Sequence, residues 1–146
     1  MNSRKSKERV ENGEQGFTLV ELLVVLAIIG LIAAIATPQV LRYLGAAKVD
    51  TTRTQIRNIQ SALELYYIDN GRYPTTEGGL AALEIRPDNE GNWNGPYLKK
   101  GASLQDAWGK AYKYESPAAE KQFEVISFGR DGKEGGDGQD ADLRSE

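Results

Sequence analysis

The sequence predicts an α+β chain. A long N-terminal helix, membrane-spanning in its first half and amphipathic in its second, packs against a small antiparallel β-sheet, and an acidic glycine-rich loop follows. Three observations predict this. No charge interrupts the apolar run from Leu22 to Ala36. Ile56, Ile59, Leu63, Tyr66 and Tyr67 then recur at three- and four-residue steps, while Arg53, Arg57, Gln60 and Glu64 fall elsewhere around the axis. Finally, residues 111–115 and 123–128 alternate apolar and polar side chains as half-buried strands do.

Residues 1–16 form a short basic leader, with Arg4, Lys5, Lys7 and Arg9 set against Glu8, Glu11 and Glu14. A secretory signal peptide carries its apolar segment before the cleavage point; here the apolar segment follows the small residue Gly16. Cleavage between Gly16 and Phe17 would therefore leave the membrane helix on the mature chain. Phe17–Ala36 spans 20 residues, about 30 Å of helix and one hydrocarbon thickness. Residues 17–37 are thus assigned to the membrane, the basic leader to the cytoplasmic side, and residues 38–146 to an exported domain that includes the second half of the long helix. Glu21 is the one charge in the span. An ionised carboxylate at the centre of a span costs roughly 2.5–3.5 kcal/mol, so it calls for a partner. A free amine on Phe17, one helical turn away, would supply the cation within one subunit or in the next.

Pro38 lacks the N–H that would bond the carbonyl four residues back, which predicts a kink that the Thr37 hydroxyl can soften; Pro38 and nearby Gly45 together would let the helix bend or locally melt during packing. Asn70-Gly71 is a helix stop, with Pro74 shortly after. Thr75–Leu83 reads as a short helix with Leu80 and Leu83 on one face. A Pro-, Gly- and Asn-rich loop follows to Tyr97-Leu98. The two alternating segments pair across Ser116–Gln122 as a hairpin that covers the apolar stripe. Trp93, Tyr97, Trp108, Tyr112 and Tyr114 are expected in the core or in subunit contacts, and Arg72-Tyr73-Pro74 sets the turn out of the long helix.

The chain has no Cys and no His, and its net charge is −3. Disulfides, thiol nucleophiles, thiolate metal sites and imidazole chemistry are excluded, and no basic stripe suggests nucleic acid. No phosphate-binding loop is present. Residues 131–142 concentrate carboxylates among glycines. Calcium takes oxygen ligands, and such a loop can turn carboxylates and carbonyls towards one ion. Asp131, Asp140 and Asp142 are the best side-chain candidates. Asp137 and the backbone carbonyl of Ser127 stand behind them. The spacing is not that of an EF-hand, and a solvated acidic terminus is the other reading of this composition. The preceding strand and Leu143, an apolar pin, argue for an anchored loop.

The string Gly16-Phe17-Thr18-Leu19-Val20-Glu21, with its basic leader and apolar helix, resembles the type IV pilin superfamily. Pro38, Asp69–Leu80, Asp106–Tyr112 and the acidic loop from Asp131 extend the resemblance to the major pseudopilins of the type II secretion system. Ala107, where a Pro is usual, and Gly78, where a Gln is common, depart from that pattern. The resemblance implies a prepilin peptidase that cuts after Gly16 and methylates the Phe17 amine, and docking of Glu21 on a neighbouring Phe17. It also implies a structural Ca²⁺ in the C-terminal loop, on Asp131, Asp140 and Asp142. The implied product is a homopolymeric periplasmic filament that helps drive folded exoproteins across the outer membrane. Minor pseudopilins, an inner-membrane assembly platform and a cytoplasmic ATPase would be its partners, and no catalytic residue is expected. A surface pilus subunit is the alternative, although such pilins often carry a Cys pair. A membrane-anchored hydrolase lacks an apolar cleft around its carboxylates, and a single-span calcium sensor leaves the Gly16/Phe17 junction unexplained.

Overall fold

The computed structural model describes residues 16–99 and 104–146. The leader therefore lies outside the described residues except for Gly16. The chain divides into two compact units, Met1–Val40 and Leu41–Glu146.

In the first unit, helix α1 (Leu19–Asn70) begins, and every residue from Gly16 to Val40 is exposed. The helix is long and apolar enough to cross a membrane. Its assignment runs unbroken through Pro38, and the Thr37 hydroxyl donates to the Ala33 carbonyl at 2.7 Å. That bond places a side-chain donor beside the turn that Pro38 deprives of a backbone one.

In the second unit α1 becomes amphipathic. Thr52, Ile56, Ile59, Ala62, Leu63 and Tyr66 are its buried stripe. Tyr67, expected with them, is instead exposed. It lies about 100° around the helix from Tyr66 and stacks on Tyr73 at 4.8 Å. Gly45 is buried too, and the helix does not break there. The helix ends as expected: Gly71 takes a φ of 71° and its N–H bonds the Tyr67 carbonyl at 2.8 Å, a conformation glycine reaches without a Cβ clash.

The segment after Pro74 is a single 3₁₀ turn, Leu80–Leu83, shorter than the helix expected; Leu80, Ala82 and Leu83 are buried. Strand β1 (Lys113–Glu115) pairs antiparallel with β2 (Glu124–Ser127), with Tyr114 opposite Val125. The hairpin is as expected, but β1 starts two residues later than the alternation suggests. Ala111 is used in an isolated bridge to Gln105, and the Tyr112 N–H bonds the Leu104 carbonyl. A third strand, β3 (Leu143–Arg144), pairs antiparallel with β2 and places Leu143 opposite Ser127. The apolar pin is thus a strand residue, and the tail is ordered by a ladder.

Tyr114, Val125 and Leu143 share the sheet face that joins the core of Ile56, Ile59, Leu63, Tyr66, Leu80 and Leu83. Leu63, Leu83 and Val125 have no exposed surface. Full burial of one such side chain stabilises the fold by roughly 1.5–3 kcal/mol. The expected aromatics follow: Tyr112 and Tyr114 are buried, and Trp93, Tyr97 and Trp108 pack partly buried against this cluster. Arg72 leaves the turn to bond Glu90 at 2.8 Å.

Candidate functional site

Phe17 is exposed and Thr18 precedes the first helical turn. The Thr18 N–H and hydroxyl both donate to Glu21 Oε2, at 2.8 and 2.9 Å, and the Glu21 N–H donates to Thr18 Oγ1 at 3.3 Å. This is a capping box, in which a Thr and a Glu three residues on satisfy each other's backbone donors. Glu21 thus has a partner within its own helix turn that charge reasoning missed. The Thr-x-x-Glu spacing was the signal. Such a cap fixes the carboxylate near the helix start, where the partial positive charge of the helix favours an anion.

The acidic loop is folded against the second unit. The Gly132 N–H bonds the Phe128 carbonyl at 3.2 Å, and the Ser145 N–H bonds the Val125 carbonyl at 2.9 Å, so both ends are tied to the sheet. Gln139 lies over Gly45, where a Cβ would collide with its side-chain amide. This contact explains the buried glycine in α1. From the sequence it is expected, with Pro38, to let the helix bend or locally melt during packing; in the single chain it is a seat for the loop.

The expected calcium ligands lie within this loop without converging. Asp131 Oδ1 accepts the Lys133 N–H at 3.1 Å. Asp137 precedes a 3₁₀ turn, Gly138–Asp140. Asp140 receives both arms of Arg130, Nε to Oδ1 at 2.8 Å and Nη2 to Oδ2 at 2.7 Å. That pairing holds its carboxyl below the usual range. Asp142 accepts the Gly135 N–H at 3.0 Å and Arg144 Nη2 at 3.0 Å. Ser127 belongs to β2. Among the described residues no three carboxylates gather around one point. Hard oxygens are the donors calcium takes, but here they do not surround one point, and both Asp140 oxygens are taken by Arg130.

Sequence reasoning also missed Asp106. It is 5% exposed. Its Oδ1 accepts the N–H groups of Trp108 at 3.0 Å and Lys110 at 2.9 Å, and its Oδ2 accepts the Ser127 hydroxyl at 2.6 Å. The Asp–x–x–Gly run, with Gly109 at φ 81°, is the turn signal that could have found it. A buried carboxylate with three donors is satisfied, and it locks the 106–110 turn to β2 just before the acidic loop. A surface groove of about 510 Å³ is lined by Ile59, Ala62, Leu65, Tyr97 and Leu98, among others, and by no carboxylate. It offers no paired acid and base.

An exposed apolar helix capped by an acid at its first turn, continuing into an α+β domain, defines a pilin-like subunit. The family model described as type II secretion system protein G matches residues 39–146, and that of the prokaryotic N-terminal methylation motif matches residues 12–37. The type II secretion system core protein G of Pseudomonas aeruginosa is 42% identical over 134 residues, 89% of this chain and 93% of the relative. Its Vibrio cholerae counterpart is 38% identical over 133 residues, 89% and 90% of the two chains. Among solved structures, the major pseudopilin of the type 2 secretion system of enterohaemorrhagic Escherichia coli matches with a TM-score of 0.54 at 30% identity, over 67% of this chain and 85% of that one. The chain belongs to the type II secretion system protein G family, that of the major pseudopilin. The surface-pilus alternative gives way to this reading.

Proposed function

We propose that this chain is the major structural subunit of a type II secretion pseudopilus, anchored by residues 17–37 in the bacterial inner membrane with residues 38–146 in the periplasm. The observation that carries the reading is the pair of family matches, which together run from residue 12 to residue 146. A prepilin peptidase removes the leader after Gly16 and methylates the Phe17 amine. The exposed apolar surface from Phe17 to Val40 is then covered by lipid before assembly and by other subunits after it. Glu21 directs each arriving subunit to the Phe17 amine of a neighbour. Pairing two intramembrane charges rewards only the correct stagger. Contacts repeated head to tail without closing generate a helical filament.

The subunit performs no chemistry. Minor pseudopilins, the inner-membrane assembly platform and a cytoplasmic ATPase supply initiation and energy, and the growing filament helps drive folded exoproteins across the outer membrane. Asp131, Asp140 and Asp142, with backbone carbonyls, would hold a structural Ca²⁺ that fastens the loop. An ion that binds only the folded state stabilises it by mass action. Chelation is then expected to lower the melting temperature and to loosen the segment after Phe128; an unchanged melting temperature in excess chelator would count against the ion.

The test of the function is a strain lacking the gene. Exoproteins accumulating in the periplasm while surface pili persist is the expected result. Normal secretion with loss of surface pili would overturn the proposal.

A further inference from the structure

The exposed apolar surface of α1 runs on past the end of the assigned span. Val40, Leu41, Tyr43 and Leu44 are all more than half exposed. Phe17–Leu44 spans 28 residues, about 42 Å of helix. That exceeds a hydrocarbon core of about 30 Å and matches a bilayer with its headgroups, about 40–45 Å. With residues 17–37 filling the core, the turn that ends at Leu44 falls at headgroup depth. Its side chains suit that layer. Tyr43 joins an aromatic body to a polar tip, and Arg42 carries a cation on a long apolar stem. Arg42 and Lys48 are both exposed, and neither has an ion-pair partner among the described residues.

Arg42 also opens a groove. A hollow of about 410 Å³ is lined by Arg42, Ala46, Val49 and Asp50 on one face of α1, and by Gly138 and Gln139 of the loop. Gln139 is the residue seated over Gly45, so the loop makes the wall facing the helix. The lining is ordered along α1. Arg42 stands at the end nearer the span, Ala46 and Val49 follow, and Asp50 lies about two turns beyond Arg42. Asp50 Oδ1 is 3.5 Å from Arg53 Nη1, so its charge is already met by a cation of its own helix. The guanidinium is therefore the charge that the groove offers towards the membrane, and a phosphate is the anion whose geometry it matches.

We propose that this groove seats the headgroup of a phospholipid from the periplasmic leaflet, with its phosphate on the Arg42 guanidinium and with Val40, Leu41 and Leu44 among the upper acyl chains. The proposal rests on the membrane anchoring argued above. It makes the bilayer surface a binding partner of the second unit as well as of the first. The bound headgroup lies against Gly138 and Gln139, so the lipid steadies the loop on α1. Entry into a filament takes the subunit out of the bilayer and gives up this contact.

The test uses the full mature chain in nanodiscs of phosphatidylethanolamine and phosphatidylglycerol, and in dodecyl maltoside, a detergent without phosphate. The chain has no Cys, so Leu26→Cys, Leu44→Cys and Thr54→Cys each take a single spin label whose collisions with oxygen and with a nickel chelate read depth. Residue 26 is expected in the core, residue 44 at the headgroup boundary and residue 54 in water. Hydrogen exchange of Gly138 and Gln139 reads the groove. It is expected to be about fivefold slower in nanodiscs than in maltoside, the effect of one basic side chain at a charged membrane surface. Arg42→Gln should lose that slowing and Arg42→Lys should keep part of it. A label at residue 26 in water overturns the anchoring itself. Residue 26 in the core with residue 44 as wet as residue 54 overturns the lipid seat and leaves the anchoring standing. Slowing that survives Arg42→Gln overturns the phosphate contact. Slowing already present in maltoside that grows with protein concentration overturns the lipid and gives the groove to a second copy of this chain.

Discussion

The two halves of α1 share one backbone conformation and answer to different surroundings. From Leu19 to Val40 every residue is exposed although nearly all are apolar. From Thr52 to Tyr66 a narrow stripe is buried and the rest of the surface, Leu65 apart, is polar. Helix geometry is the same in both; what differs is how many sides are apolar. A helix apolar all round has to be covered all round, by lipid or by other subunits, whereas a one-sided helix is satisfied by its own domain. The first half therefore belongs to the assembly and the second to the fold.

Core substitutions should separate the halves most clearly. Leu63→Ala removes a side chain with no exposed surface and is expected to cost about 2–5 kcal/mol of domain stability. Leu26→Ala, at an exposed position of the same helix, should leave domain melting within about 0.5 kcal/mol. Comparable losses from both, measured by denaturant unfolding in detergent, would break the distinction. Asp106→Ala strands the Ser127 hydroxyl and the N–H groups of Trp108 and Lys110, and should cost about 1–3 kcal/mol. Its effect should concentrate in hydrogen exchange of residues 104–110 and β2, with no change in the first unit.

A smaller effect sharpens the picture of the sheet that covers the second half. Tyr114 donates its hydroxyl to the Pro74 carbonyl at 2.8 Å, and burial pushes its pKa up to about 12. The folded state thus favours the protonated phenol. That stability is complete below the unfolded value near 10 and is lost as pH rises through about 12. Tyr114→Phe should lose about 1 kcal/mol at neutral pH, and its deficit relative to wild type should shrink between pH 10 and 12. A deficit that stays constant across that range, in melting followed by circular dichroism, would contradict the buried phenol.

Much of this architecture was legible because long-period signals are strong. The apolar run, the 3.5-residue stripe and the glycine stop each repeat one message over many residues. The misses are places where a few residues act through partners far away in sequence. Strand β3 is two residues long in an acidic stretch, so composition hid the strand and Ser145, which is buried beside it, although Leu143 was legible as an apolar pin. Asp106 is a single carboxylate whose role depends on Ser127, 21 residues on. Glu21 was read for its charge, so the Thr18 cap escaped notice. In the acidic loop the carboxylates were counted without Arg130 and Arg144, which the fold brings onto them.

The proposed assembly role of the first half of α1 turns on Glu21 as the guide. The most direct measurement compares Glu21→Ala with wild type in the same strain, scoring membrane fractionation of the subunit, filaments by electron microscopy, and secreted exoproteins. The account predicts a subunit that remains membrane-inserted, because losing a carboxylate makes insertion easier, but that forms no filaments and leaves exoproteins in the periplasm. Normal filaments and secretion from the Glu21→Ala chain would contradict it.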